Sequence, residues 1–265
     1  MANDKSITDS DVYRSVHPII HDITATDLLD ALSKGITDFR AMPTHLINIC
    51  WIYPIVILIG ARAYAGYDVL YLAFPLLAGY TLIGPMAATG MYELSRRREM
   101  GQDTSRWHAF EVLRSPSLRS IAMLGVLLMI IYFAWLLAAQ AIYQAYFGNN
   151  VPASILGFIS EIFTTPSGWG LIIVGCAVGF VFAALVFTLS VVSFPMLLDR
   201  DVGPVTAMAT SIRAVIKNPF TMAMWALIVA VTLLIGAIPL FVGLAIVLPV
   251  LGHATWHLYR KTIGP

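Results

Sequence analysis

The sequence predicts an all-α polytopic membrane protein: six transmembrane helices in two similar halves, preceded by an N-terminal interfacial helix. Three observations carry this. Hydrophobic residues fill 58% of the 265 positions and charged residues only 12%, against roughly 25% charged in a soluble domain. The charges gather in a few short blocks, separated by apolar stretches long enough to cross a hydrocarbon core of roughly 30 Å. Those stretches contain Gly and Pro but almost no ionisable residue, a composition that helices tolerate in lipid when neighbours re-satisfy the freed backbone groups.

Residues 1–23 are polar, lack the apolar core of a secretory signal and are expected to form a loose cytoplasmic tail. Thr24 or Thr26 can cap a helix that begins at Asp27, and Pro43 ends it, which bounds an amphipathic interfacial helix over 24–42. Leu28, Leu29, Leu32, Ile36 and Phe39 share one face at helical spacing, with Asp27, Asp30, Lys34 and Asp38 elsewhere. Gly35 weakens that helix. The transmembrane domain follows over 43–261.

The first span is expected over about 45–63, with Trp51 and Tyr53 towards its cytoplasmic end as interfacial anchors. The second, about 69–92, is punctuated by Pro75, Gly79, Gly84, Pro85 and Gly90. A charged link through Asp103 and a short amphipathic segment from Trp107 to Arg114 lead to the third, about 121–146. Residues 147–170 hold Asn149, Asn150 and Pro152, then an apolar run broken by Glu161, and read as a short helix at the outer interface. The fourth span, about 171–198, carries Gly175, Gly179 and Ala183 at four-residue spacing, a groove that another helix can approach closely. After the charged Asp199-Arg200-Asp201 knot, a small-residue helix runs from Val205 to Lys217. The last apolar run, 220–259, is just long enough for two spans; a single re-entrant hairpin competes with that reading.

Orientation follows from the cations. Under six spans, fifteen Lys and Arg fall on the side of the termini and only Arg62 on the other, which puts both ends in the cytoplasm by the positive-inside rule. Two stretches, about 69–146 and 171–252, share a plan. Each has an apolar helix with Pro-Met near its end (Pro85-Met86, Pro195-Met196), a charged knot, an amphipathic run ending basic-x-Pro, and another span. Both run in the same direction, so the repeat is parallel.

Four blocks in order, Tyr92-Glu93-Leu94-Ser95-Arg96-Arg97-Arg98-Glu99, Ser193 to Asp201 with Pro195 inside it, Ala207 to Pro219, and His253 to Arg260, resemble the signature of an uncharacterised bacterial integral-membrane family, a domain of unknown function. The resemblance runs over about 36–261. It implies a multi-pass protein of the bacterial cytoplasmic membrane and no established activity. Such proteins are sometimes labelled cytochrome c oxidase subunit I. A haem-copper oxidase core, however, resembles a twelve-helix protein with paired membrane histidines, which this sequence does not contain.

Chemistry-bearing groups are few. His253 and His257 stand four apart on one helical face and can present two imidazoles to a metal or haem, with His45 and His108 near the same boundary. They read equally as interfacial anchors beside Trp256 and Tyr259. Arg96, Arg97, Arg98 and Glu99, and Asp199, Arg200 and Asp201, read as a salt-bridged structural cluster joining the two halves, or as a basic patch for phosphate; the arginines also serve topology. Cys50 and Cys176 have no close-spaced partner and read as small buried hydrophobes. The spans offer Gln140, Gln144, Thr188, Ser190 and Ser193 but no ionisable residue, which argues against a proton-coupled pump. No nucleotide loop, Ser-His-Asp set or catalytic carboxylate pair is visible, and no cofactor is implied.

The expectation is therefore a non-catalytic accessory or scaffold subunit of a membrane, possibly respiratory, complex. Its partners would be the bilayer and another membrane protein or a second copy, and not nucleic acid. A small-solute channel or transporter is the alternative, and a haem- or metal-binding redox component the third reading.

Overall fold

A computed structural model describes residues 18–42, 72–80, 82, 84–150, 152, 154–239 and 242–264. The expected first span, with His45, Cys50 and the link through Arg62, lies outside them, as do residues 1–17 of the tail. Every regular element among the described residues is helical. In chain order these are α1 (Ala25–Ala41), α2 (Ala73–Tyr80), α3 (Gly84–Ala87), α4 (Thr89–Glu99), a 3-10 helix (Arg106–Arg114), α5 (Leu118–Phe147), α6 (Ile155–Thr164), α7 (Pro166–Ser190), α8 (Ser193–Asp199), α9 (Pro204–Lys217), α10 (Pro219–Ala237) and α11 (Leu244–Ile263). Among the described residues three stretches are long and apolar enough to cross a membrane: Leu118–Phe147, Pro166–Asp199 and Pro219–Ala237. The chain divides into two compact units. One comprises residues 1–46, 86–124 and 188–265; the other comprises 47–85 and 125–187.

In the first unit α1 lies along α11. Thr24 starts α1, its backbone N–H and hydroxyl both donating to Asp27 Oδ2 (2.9 and 2.7 Å), and these bonds with that of Lys261 hold the Asp27 carboxyl down at about 2. The buried stripe is Leu28, Ala31, Gly35 and Asp38, while Leu29 and Ile36 are exposed. The face expected from sequence is therefore rotated by about one residue. The reason is Gly35, where an added Cβ would meet Ala254 at 2.7 Å and the Val250 carbonyl at 2.8 Å. Only glycine lets the two helices approach that closely, so the residue that weakens α1 as an isolated helix is what docks it.

Residues 18–23 of the tail are tied down in the same unit. His21 N–H donates to the Thr262 carbonyl (2.7 Å), Ile23 N–H to Asn218 Oδ1 (2.9 Å), and Lys217 Nζ to the Ile20 carbonyl (2.6 Å). Asn218 stands at the start of α10, whose far end packs against α11: a Cβ at Gly236 would meet Leu244 at 2.9 Å. The last apolar run thus forms two successive helices of 19 and 20 residues. The second half of α11 carries His253, His257, Arg260 and Lys261.

α7 and α8 are one apolar stretch broken at Val191 and Val192. Pro195 has no N–H for the Val191 carbonyl, and its ring crowds that carbonyl. Ser211 of α9 occupies the gap: its hydroxyl donates to the Thr188 carbonyl (2.7 Å) and accepts from Val192 N–H (3.2 Å). A side chain has been inserted into the helical ladder, one of the few causes of a sharp helix break.

The second unit contains α2, α6 and the greater part of α5 and α7. Trp135 of α5 is its pivot, 5% exposed, with its indole N–H donating to the Pro75 carbonyl (3.0 Å). Gly79 lies under Tyr132 and Trp135, and Gly179 faces the Trp135 ring, where a Cβ would approach to 3.1 Å. Gly175, one turn earlier, has nothing within 4 Å of an added Cβ, and Ala183 is exposed. Ser154 caps α6, accepting from Gly157 N–H at 3.0 Å.

Candidate functional site

The polar side chains of α1, α4, α8 and α11 meet in one layer of the first unit. At its centre is Asp38, 5% exposed. Its carboxylate accepts from Ser95 Oγ (2.6 Å) and Arg98 Nη1 (2.6 Å) and pairs with His257 Nε2 (2.8 Å). Ser95 also meets His253 Nδ1 at 2.8 Å. With its proton on Asp38, the Ser95 oxygen accepts from Nδ1–H, giving a continuous chain His253–Ser95–Asp38–His257 that clamps three helices. The other His253 nitrogen, Nε2, is buried and has no hydrogen-bond partner among the described residues.

Burial pushes the Asp38 carboxyl up, but the bonds from His257 and Ser95 outweigh it and hold the group below its ordinary value. The order of groups differs from a nucleophilic relay, in which an imidazole stands between hydroxyl and carboxylate. Here the hydroxyl stands between them and is 1% exposed.

A second group surrounds Arg260. Its guanidinium donates to Glu99 Oε1 through Nε and Nη2 (both 3.1 Å) and to Asp199 Oδ2 through Nη1 (3.3 Å). Trp256 Nε1 donates to Glu99 (3.1 Å) and Tyr259 to Asp199 (2.7 Å), so α11 links the acidic residues of the two charged knots. Arg200 turns to the Gly264 carbonyl (3.2 Å). Asp201 is exposed and forms no ion pair among the described residues.

A third group lies where α4 faces the 3-10 helix. Arg96 holds the buried Glu93 (2.9 Å), and Arg97 pairs with Glu111 and donates to the Asp103 carbonyl (2.9 Å). His108 is bound by Glu111 (2.5 Å) and Asp103 (2.7 Å). Those two carboxylates raise its imidazole above the ordinary 6.5 and are themselves lowered.

The four residues 96–99 thus face different neighbours: Arg98 the Asp38 centre, Glu99 the Arg260 group, Arg97 Glu111 of the 3-10 helix, and Arg96 Glu93 of its own helix. His253 and His257 are brought together, each through one nitrogen, by Ser95 and Asp38. Sequence reasoning missed Asp38, Ser95, Glu93, Glu111 and Tyr259. The available signal was Ala31-x-x-x-Gly35, a small-residue stripe with Asp38 in phase; the others had none.

Length, composition and this all-helical interior define an integral membrane protein. Residues 73–199 match the family model described as predicted integral membrane protein (DUF2189), an uncharacterised membrane domain of unknown function. The match runs from α2 through α8 and takes in Ser95, Arg96 to Glu99, Pro195 and Asp199; Asp38, His253 and His257 lie outside it. It is shorter than the 36–261 over which the resemblance read from the sequence runs. No curated protein and no solved structure matches the chain.

Proposed function

We propose that the protein is a non-catalytic accessory or scaffold subunit in a bacterial cytoplasmic membrane, with six spans in two similar halves and both termini cytoplasmic. One observation carries the reading: most of the polar interior is consumed by mutual contacts, while two of the three long apolar helices are nearly bare. Of the apolar window in Pro166–Asp199, 6% is buried within the chain, and of that in Pro219–Ala237, 17%. Helices that cover so little of each other leave much of their surface to lipid or to other helices. On α7 the open Gly175 and the exposed Ala183 offer a shallow strip for a partner helix.

The test is purification from native membranes in mild detergent, with mass spectrometry of what co-migrates and an absorption spectrum of the same sample. Stoichiometric membrane-protein partners support the scaffold. A partner-free, colourless particle that gives saturating solute uptake in proteoliposomes overturns it in favour of a channel or transporter. A visible band abolished by His257→Ala overturns it in favour of a redox component.

A further inference from the structure

The 3-10 helix Arg106–Arg114 sorts its residues into three rows, because three residues make each turn. Ala109 and Val112 are buried, and the Gly90 backbone approaches closely enough that a Cβ would lie 3.0 Å from the Ala109 carbonyl. His108, Glu111 and Arg114 form a polar row. Trp107, Phe110 and Leu113 form the third row and are 68%, 43% and 64% exposed.

Position decides what that apolar row faces. Leu118, the first residue of the 30-residue apolar α5, stands four positions after Arg114, so the end of the 3-10 helix cannot lie more than about 14 Å from the start of α5. A short helix with Trp, Phe and Leu outward and arginine at its end, held at that depth, has the composition of an interfacial anchor.

Beneath the polar row is a cleft of about 330 Å³. Its polar lining is Glu93, Arg96, Arg97, Glu111, Arg114 and Ser115. Three guanidiniums face two carboxylates. Glu93 is held by Arg96, and Glu111 by Arg97 and His108. Arg114 forms no ion pair among the described residues, so the cleft carries one uncompensated positive charge, next to two arginines already fixed in place. Fixed guanidinium forks suit phosphate oxygens.

We propose that this cleft binds the phosphate headgroup of an anionic phospholipid, with Trp107, Phe110 and Leu113 seated in the same leaflet. The basic cleft supplies the choice of headgroup and the apolar row holds the cleft at headgroup depth. This goes beyond the scaffold reading and does not depend on it.

The experiment is thermal unfolding of the delipidated full chain in neutral detergent, titrated with phosphatidylglycerol, phosphatidylcholine or inorganic phosphate. Phosphatidylglycerol raises the midpoint and phosphatidylcholine does not. Arg114→Gln, whose midpoint without lipid matches wild type, needs about fivefold more phosphatidylglycerol for the same rise. An equal response to phosphatidylcholine, or an unchanged dose response in Arg114→Gln, overturns the proposal; an equal response to inorganic phosphate overturns the lipid source. As a second measurement, brominated phospholipid in reconstituted vesicles quenches tryptophan emission, and Trp107→Phe removes a quenched component. If that substitution changes only unquenched emission, the seating in the leaflet is wrong.

Discussion

Gly35→Ala tests how α1 is held on α11. The new Cβ would sit 2.7 Å from the Ala254 Cβ and backbone nitrogen and 2.8 Å from the Val250 carbonyl, where ordinary contact begins at 3.4 Å. Backbone atoms cannot swing aside, so the helices must part by several tenths of an ångström or more. In an exposed helix the same substitution stabilises by about 1 kcal/mol, whereas overpacking a tight contact costs about 1–3 kcal/mol. Parting the helices also stretches the bonds at Asp38, three residues further on. The expected net loss is about 1–2 kcal/mol, which lowers the unfolding midpoint by about 2–8 °C for a chain of this size. The assay is thermal unfolding of the detergent-purified protein by intrinsic fluorescence, beside Gly175→Ala, where an added methyl meets nothing within 4 Å. Gly175→Ala should leave the midpoint unchanged or raised. If Gly35→Ala also unfolds at or above the wild-type temperature, α1 does not lie against α11 and the Asp38 centre falls with it.

Asp38→Asn keeps the shape of the side chain and removes its charge. It should cost about 1–3 kcal/mol, discounted because Arg98 is a third exposed and can turn to water. Because the folded-state value of Asp38 lies below 3.8, its contribution is present above that pH and is lost as pH falls through the folded value. The gap between wild type and Asp38→Asn in an acid unfolding series should therefore close at low pH; a constant gap contradicts the assignment. His108 behaves with the opposite sign. Its value is raised by Glu111 and Asp103, so its contribution is full below 6.5 and is lost as pH rises through the folded value. An NMR titration should find His108 above 6.5 in wild type and moved back towards it in Glu111→Gln.

The small-residue and histidine motifs show how far pattern reading reaches. Gly175, Gly179 and Ala183 have identical spacing and no distinguishing neighbours in sequence, yet Gly179 is taken by Trp135 and Gly175 is open. His253 and His257 are four apart on one face, which announces a shared neighbour but not its nature. His257 meets Asp38, more than 200 residues away, and His253 reaches the same carboxylate only through Ser95. Arg96, Arg97 and Arg98 are one charge block on the page, but consecutive helical residues point about 100° apart, so they serve two different groups.

What the sequence determined by itself is the class of structure. The contrast between apolar stretches and charged blocks is a solvent preference, written residue by residue, and it needs no partner to be read. So are the cap at Thr24, the break before Pro195 and the amphipathic run at Trp107 to Arg114. Only the tertiary structure decided which face of α1 is buried, where residues 18–23 attach, and which acids the arginines and histidines meet. Those outcomes depend on close approach at single glycines and on hydrogen bonds between positions far apart in the chain, and neither leaves a local period to read.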